Sequence, residues 1–277
     1  MKILAINGSY RGERGQTQHL IDLLFAGATQ AGAQCETITL AKLKMNRCLG
    51  CNSCQKNARQ IEDDQSDQGK WPEYKLECIF KDKDDLQSVY NKMAEADLII
   101  YASPVYVFNI SVLLKTVFDR FYGLSYAEGF RVTDAGLMFH HINKEIVSKP
   151  FVPLIVCDNL ENQTPKTLVD YFTTFSKFLD APQVGLLVRN GGALSGHGND
   201  LEAESRLPKI QEVYKAYHLA GRELVLNGKI TPQTQRKANQ EIVPVPLFSL
   251  LKSIKFRPFK IKFVKAANQM RSSQMSE

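Results

Sequence analysis

Met1-Lys2-Ile3-Leu4-Ala5-Ile6-Asn7-Gly8-Ser9-Tyr10-Arg11-Gly12-Glu13-Arg14-Gly15-Gln16-Thr17-Gln18 decides the fold. Lys2 to Asn7 does not alternate between apolar and polar residues, which predicts a strand buried on both faces, as in a parallel sheet. Beyond a glycine-containing loop, Leu20, Leu23, Leu24, Ala28 and Ala31 recur at helical spacing between Gln16 and Ala31. A strand, a polar glycine loop and a helix in this order place the helix amino terminus at the carboxyl edge of the sheet. There its unpaired N–H groups face an anion. Ser9 and Thr17 add hydroxyls and Arg11 a cation, which fits a phosphate cradle involving Ser9, Arg11, Gln16, Thr17 and Gln18. The loop matches neither the dinucleotide glycine fingerprint nor the nucleoside-triphosphate one. A plain turn capped by Gln16 or Thr17 is the other reading.

The strand–helix unit recurs along the chain. Strands are expected at Gln34 to Leu40, Asp97 to Tyr101, Phe151 to Cys157 and Val184 to Val188. Helices are expected at Asp85 to Glu95, Ser111 to Leu124, Thr164 to Leu179 and Glu202 to Leu226. Such alternation predicts a doubly wound α/β fold whose ligand crevice lies at the carboxyl ends of the strands. The turns after Asn7, Tyr101 and Cys157 should therefore line the site, with Asp158 and Asn159 as its third wall. Asn57 to Tyr74 is polar and acidic and looks like an insertion. Tyr126 to Ser148, with His140 and His141, is left as a linker.

Composition sets outer bounds. With 44% hydrophobic and 23% charged residues, the 277-residue chain is expected to fold around a substantial core. The amino-terminal apolar run is too short for a secretion signal, and no segment approaches the roughly 18–20 apolar residues that span a bilayer. The expectation is a cytoplasmic protein whose six cysteines are core residues, redox thiols or metal ligands. Net charge is +6, but Lys252 to Arg271 holds seven cations and no acid, so the remainder is near neutral and no nucleic-acid partner is implied.

Cys48-Leu49-Gly50-Cys51-Asn52-Ser53-Cys54 spaces three thiols so that they converge only if the segment loops. Soft thiolates in such a loop suit an iron–sulfur cluster, with Cys78 as fourth candidate. An all-cysteine zinc site and metal-free thiols stand beside that reading. Cys35 and Cys157 fall within strands and read as small core residues.

Several of these segments together resemble the NADPH-dependent FMN reductase and iron–sulfur flavoprotein group: Asn7-Gly8-Ser9, Thr17, Ala96-Asp97, Ser103-Pro104-Val105-Tyr106-Val107-Phe108-Asn109, Lys115 to Arg120, and the Cys48–Cys54 run. The likeness covers roughly Met1 to Val188. It implies a flavodoxin-like five-stranded parallel sheet of order 2-1-3-4-5 with a carboxyl-terminal extension. On this reading residues 1–226 form the FMN-binding domain, with a cysteine-rich loop at 48–78, and residues 227–277 form a basic extension. The resemblance also implies that Pro104, Val105, Tyr106, Val107, Phe108 and Asn109 contact the isoalloxazine ring. It further implies that NAD(P)H is the electron donor and that Cys48, Cys51, Cys54 and Cys78 hold a 4Fe-4S cluster. The chain departs from the group in one respect, since 23 residues separate Cys54 from Cys78 where the group has a handful.

The expected activity is passage of electrons from a nicotinamide nucleotide through FMN to an acceptor, a small molecule or a redox protein. The alternative is an iron–sulfur electron-transfer module reduced by ferredoxin. Further copies of the chain are also expected partners. Gly191 to Gly198 reads as a connection that could touch the nucleotide. The tail from Leu247 to Lys265 mixes aromatics with cations; it could meet an anionic membrane or a redox partner, or pack on its own domain or across a dimer.

Overall fold

The structure is a computed structural model that describes residues 1–56, 58–60, 74–75, 77–192, 194, 207–243, 247–262 and 264–265. Five parallel strands, β1 (Lys2–Asn7), β2 (Gln34–Thr39), β3 (Leu98–Pro104), β4 (Phe151–Cys157) and β5 (Leu187–Asn190), form one sheet of order β2-β1-β3-β4-β5. This is the expected flavodoxin-like order. The three central strands are buried almost throughout, which is why they read as apolar runs rather than alternations. Ile3 pairs with Cys35 on one side and Leu98 on the other, and Ile99 pairs with Phe151.

Helices cover both faces. On one, α1 (Gln16–Gln30) crosses α5 (Ile210–Asn227) at backbone distance. A side chain on Gly27 would overlap the carbonyl of His218, and one on Gly221 would overlap that of Leu24. On the other face lie α2 (Leu86–Glu95), α3 (Val112–Asp119) and α4 (Lys166–Leu179). Tyr101 is the centre of an aromatic cluster there, 5.1 Å from Phe118 and 5.6 Å from both Phe151 and Phe175, ring centre to ring centre.

Four boundaries differ from the sequence reading. The fifth strand begins at Leu187 and not Val184, because α6 (Pro232–Ala238) and the residue after it claim the preceding backbone. Gln235 Oε1 accepts from Leu186 N–H at 2.7 Å, and Asn239 Oδ1 accepts from Val188 N–H at 2.8 Å. These side chains occupy the open edge of the sheet in place of another strand. The helix expected from Ser111 to Leu124 leaves α geometry at Asp119 and continues as a 3₁₀ turn over Arg120–Leu124. Tyr126 to Ser148 is an antiparallel hairpin, Ser125–Val132 with Met138–Ile142, followed by a single helical turn. Its Arg131 is buried against Asp180 and the Phe178 carbonyl, a pairing of distant residues that no local pattern announces. The last long helix begins at Ile210; residues 201–206, most of the 57–74 insertion and most of Gly191 to Gly198 lie outside the described residues.

Candidate functional site: a phosphate cradle, an aromatic turn and a thiol cavity

β1 ends on Asn7, whose buried side chain organises the loop after it. Asn7 Oδ1 accepts from Ser9 N–H at 2.9 Å, and its amide donates to Gln18 Oε1 at 2.9 Å. Gln18 donates in turn to Asp22 at 2.7 Å, so its side chain holds the cradle's frame. Gly8 N–H donates to the Ala102 carbonyl at 2.8 Å and fastens the loop to β3. Ser9 and Thr17 are buried and Arg11 is exposed at the rim, where its N–H donates to Ser9 Oγ at 3.2 Å.

Helix α1 starts behind Gly15 with no side chain capping it. Gln16, only 2% exposed, has no hydrogen-bond partner among the described residues at either end of its amide. An unsatisfied buried amide costs about 1–3 kcal/mol. A buried donor without a partner, beside an uncapped helix amino terminus, fits a bound anion. Gly15 keeps the space open, since a Cβ there would stand 3.2 Å from Ser9 Oγ.

The second turn follows β3. Tyr106 and Asn109 exchange backbone hydrogen bonds at 3.0 and 3.1 Å across Val107 and Phe108. Both central residues have positive φ, 47° and 64°, a conformation that strongly disfavours a β-branched side chain. Val107 is 90% exposed and Phe108 61%, so no core packing explains the strain. Pro104 and Val105 are half-buried beneath this turn, and Val105 N–H donates to the Val156 carbonyl at 2.8 Å. Tyr106 faces the first loop, its ring centre 5.8 Å from that of Tyr10. Cradle and aromatic turn are therefore neighbours.

The third turn carries exposed Asp158 and Asn159. Asn159 braces its own loop: its side chain accepts from Glu161 N–H at 2.8 Å and its carbonyl accepts from Gly191 N–H at 3.3 Å.

Cys48, Cys51, Cys54 and Cys78 line one small cavity of about 20 Å³ with Arg120 and Tyr122. Gln55 fixes this segment, donating to the carbonyls of Tyr122 (2.8 Å) and Ser125 (2.7 Å) and accepting from Ala127 N–H (2.9 Å). Burial, chiefly, raises the Cys54 thiol above its ordinary range, with Cys78 close by. Hydrogen bonds from Ser53 lower that of exposed Cys51. The donor set has the softness an iron–sulfur cluster requires. Yet among the described residues no three His, Cys, Asp or Glu side chains are grouped closely enough to hold a metal ion. As arranged, the thiols share a cavity without forming a closed ligand shell. Cys157 is buried in β4 and Cys35 half-buried in β2, both with thiols raised mainly by burial.

Sequence reasoning gave Arg120 no role. It lies beside these cysteines, its guanidinium 2.6 Å from Asp84 and 3.1 Å from the Asn46 carbonyl, over the ring of Phe80. The Lys115 to Arg120 segment stood out by itself, but the pairing of Arg120 with Asp84 is a tertiary fact.

Comparison with known proteins agrees with this fold. Among curated proteins, an iron–sulfur flavoprotein of Methanocaldococcus jannaschii is 35% identical over 120 residues, covering 43% of this chain and 51% of the relative. An iron–sulfur flavoprotein of Methanosarcina thermophila is 31% identical over 121 residues, covering 43% and 52%. The chain thus spans about half the length of the curated relatives it matches. Among solved structures, an NAD(P)H:quinone oxidoreductase from Methanothermobacter marburgensis superposes with a TM-score of 0.51 at 13% identity, covering 81% of this chain and 98% of that one, a likeness of fold. Residues 1–131 match the sequence profile of the NADPH-dependent FMN reductases. The segment that builds both the cradle and the aromatic turn is therefore the part of the chain that resembles the NADPH-dependent FMN reductases.

Proposed function

We propose that the chain binds FMN and catalyses two-electron transfer from a nicotinamide nucleotide to an acceptor: NAD(P)H + H⁺ + acceptor → NAD(P)⁺ + reduced acceptor. The unpartnered, buried Gln16 amide at the uncapped start of α1, next to a strained aromatic turn, carries this reading. The ribityl phosphate would lie against Ser9, Gln16 and Thr17, with Arg11 supplying charge from the rim. Pro104 to Asn109 would support the ring, and Asp158 and Asn159 would close the third side. When bound, the flavin supplies the hydride and electron chemistry, so no side-chain nucleophile is needed. The chain's own residues bind and orient. Anaerobic addition of NADPH or NADH to the flavin-loaded protein tests this: bleaching of the flavin absorption at catalytic rates is expected, and an unbleached flavin would overturn it.

The cysteine cavity favours a second reading, an electron-transfer module reduced by ferredoxin. Four soft donors lining one space, together with relatives named iron–sulfur flavoprotein, support it. Iron and zinc analysis of anaerobically purified protein, alongside Cys54→Ser, separates the cases. Iron that disappears in the variant supports the cluster, and metal-free protein removes it. In either reading the free thiols suit a reducing compartment, which we infer to be the cytoplasm.

A further inference from the structure

Residues 247–262 of the tail beyond α6 are tied back to the domain by a few side chains. The short helix α7 (Phe248–Ser253) turns Phe248 inward, and Lys252 anchors the segment. Lys252 Nζ lies 2.6 Å from Glu241 and donates to the Leu160 carbonyl at 3.0 Å; both side chains of this ion pair are nearly buried. Lys260 pairs with Glu161. The tail is thus tied to the loop after β4, at the same sheet edge as the cradle.

Around these anchors, Leu247, Leu250, Ile254, Phe256, Ile261 and Val264 are exposed, Phe256 by 65%. Interleaved with them are the exposed cations Lys255, Arg257, Lys262 and Lys265, and no acid stands between Lys252 and Lys265. Single exposed apolar groups are ordinary, but six of them within 18 residues of a segment whose charges are cationic are not. Phosphodiester contacts with nucleic acid would use the charge but give the leucines and isoleucines nothing to bury against. A second copy packed symmetrically on this face would set like charges against each other.

We propose that residues 247–265 dock the protein on an anionic lipid surface. The apolar side chains would enter the headgroup boundary and the four exposed cations would meet lipid phosphates. The fixed anchors would hold the carboxyl edge of the sheet close to that surface. Neither step depends on the FMN reading, because the surface is built from the tail alone.

Flotation of the full-length protein with phosphatidylcholine vesicles, with and without phosphatidylglycerol, tests the proposal. Binding is expected on the anionic vesicles only, weakened by high salt, and weakened about tenfold or more by K255E/R257E/K262E/K265E. Leu250→Ser/Phe256→Ser should also weaken binding at low salt, since both side chains are exposed and the fold does not depend on them. Equal binding to both vesicle types, no binding to either, or binding indifferent to these substitutions would overturn it. So would a dimer in light scattering that the serine variants dissociate, because that makes the face a contact between copies, and so would capture of an acidic soluble protein in place of vesicles.

Discussion

The Arg120 guanidinium stands 2.6 Å from the Asp84 carboxylate, with both side chains almost wholly shielded from water, and the pair joins the start of α2 to the turn after α3 behind the cysteine cavity. Breaking a buried pair from one side strands a charge, at about 3–5 kcal/mol. Arg120→Ala should therefore lower unfolding stability by roughly that amount, measured by urea titration. The double variant Arg120→Met/Asp84→Leu should lose markedly less, and equal losses would refute the stranded-charge argument.

Two buried carboxylates predict acid sensitivity. Burial alone would raise Asp84, but the Asn46 and Leu86 N–H groups and Arg120 outweigh it and hold the carboxyl below its usual range. Asp180 is likewise lowered, against the effect of burial, by Asp134 N–H, Lys144 and Arg131. A carboxyl with a depressed folded pKa contributes stability that is complete above its unfolded value, near 4, and lost as pH falls through the folded one. Urea midpoints should hold from neutrality to about pH 5 and then fall, with a shallower fall in Asp84→Asn/Asp180→Asn.

Gln16 should trade stability against binding. Gln16→Leu removes an amide that has no partner in the free protein. We expect the apoprotein to gain about 1 kcal/mol and FMN affinity to drop about tenfold, read by thermal unfolding and flavin fluorescence titration. Unchanged affinity would show that the orphan amide does not face the phosphate.

Val107 at φ 47° carries strain without packing. Val107→Asn, which tolerates the left-handed region, should stabilise the free protein by about 1 kcal/mol in thermal melts. A destabilised variant would show that the valine makes a contact the fold needs.

Asn239 seals the edge of β5, accepting from Val188 N–H and donating to the Leu186 carbonyl at 2.9 Å. Asn239→Ala should cost about 1–3 kcal/mol and hasten amide exchange at Val188. Unaltered exchange there would mean that water replaces the side chain freely.

The parallel sheet was legible because its signals are local. Buried central strands write continuous apolar runs, and Gly8, Gly12 and Gly15 mark the turn between strand and helix. The hairpin at Ser125–Ile142 was not legible, since Arg131 is held by Asp180 from beyond β4. The fifth strand shifted for the same reason, its edge being set by Gln235 and Asn239 some fifty residues on.

Residue order alone therefore determined the strand–helix alternation, the sheet edge where the cradle forms, and the choice of soft donors in the Cys48–Cys54 run, because each rests on neighbours within a turn or two of chain. Only the tertiary structure decided that Gln16 is left without a partner, that Cys78 shares a cavity with the other three thiols beside Arg120, and that the basic tail is pinned to the Leu160–Glu161 loop. Those are outcomes of which distant groups burial brings together, and burial acts on the whole chain at once.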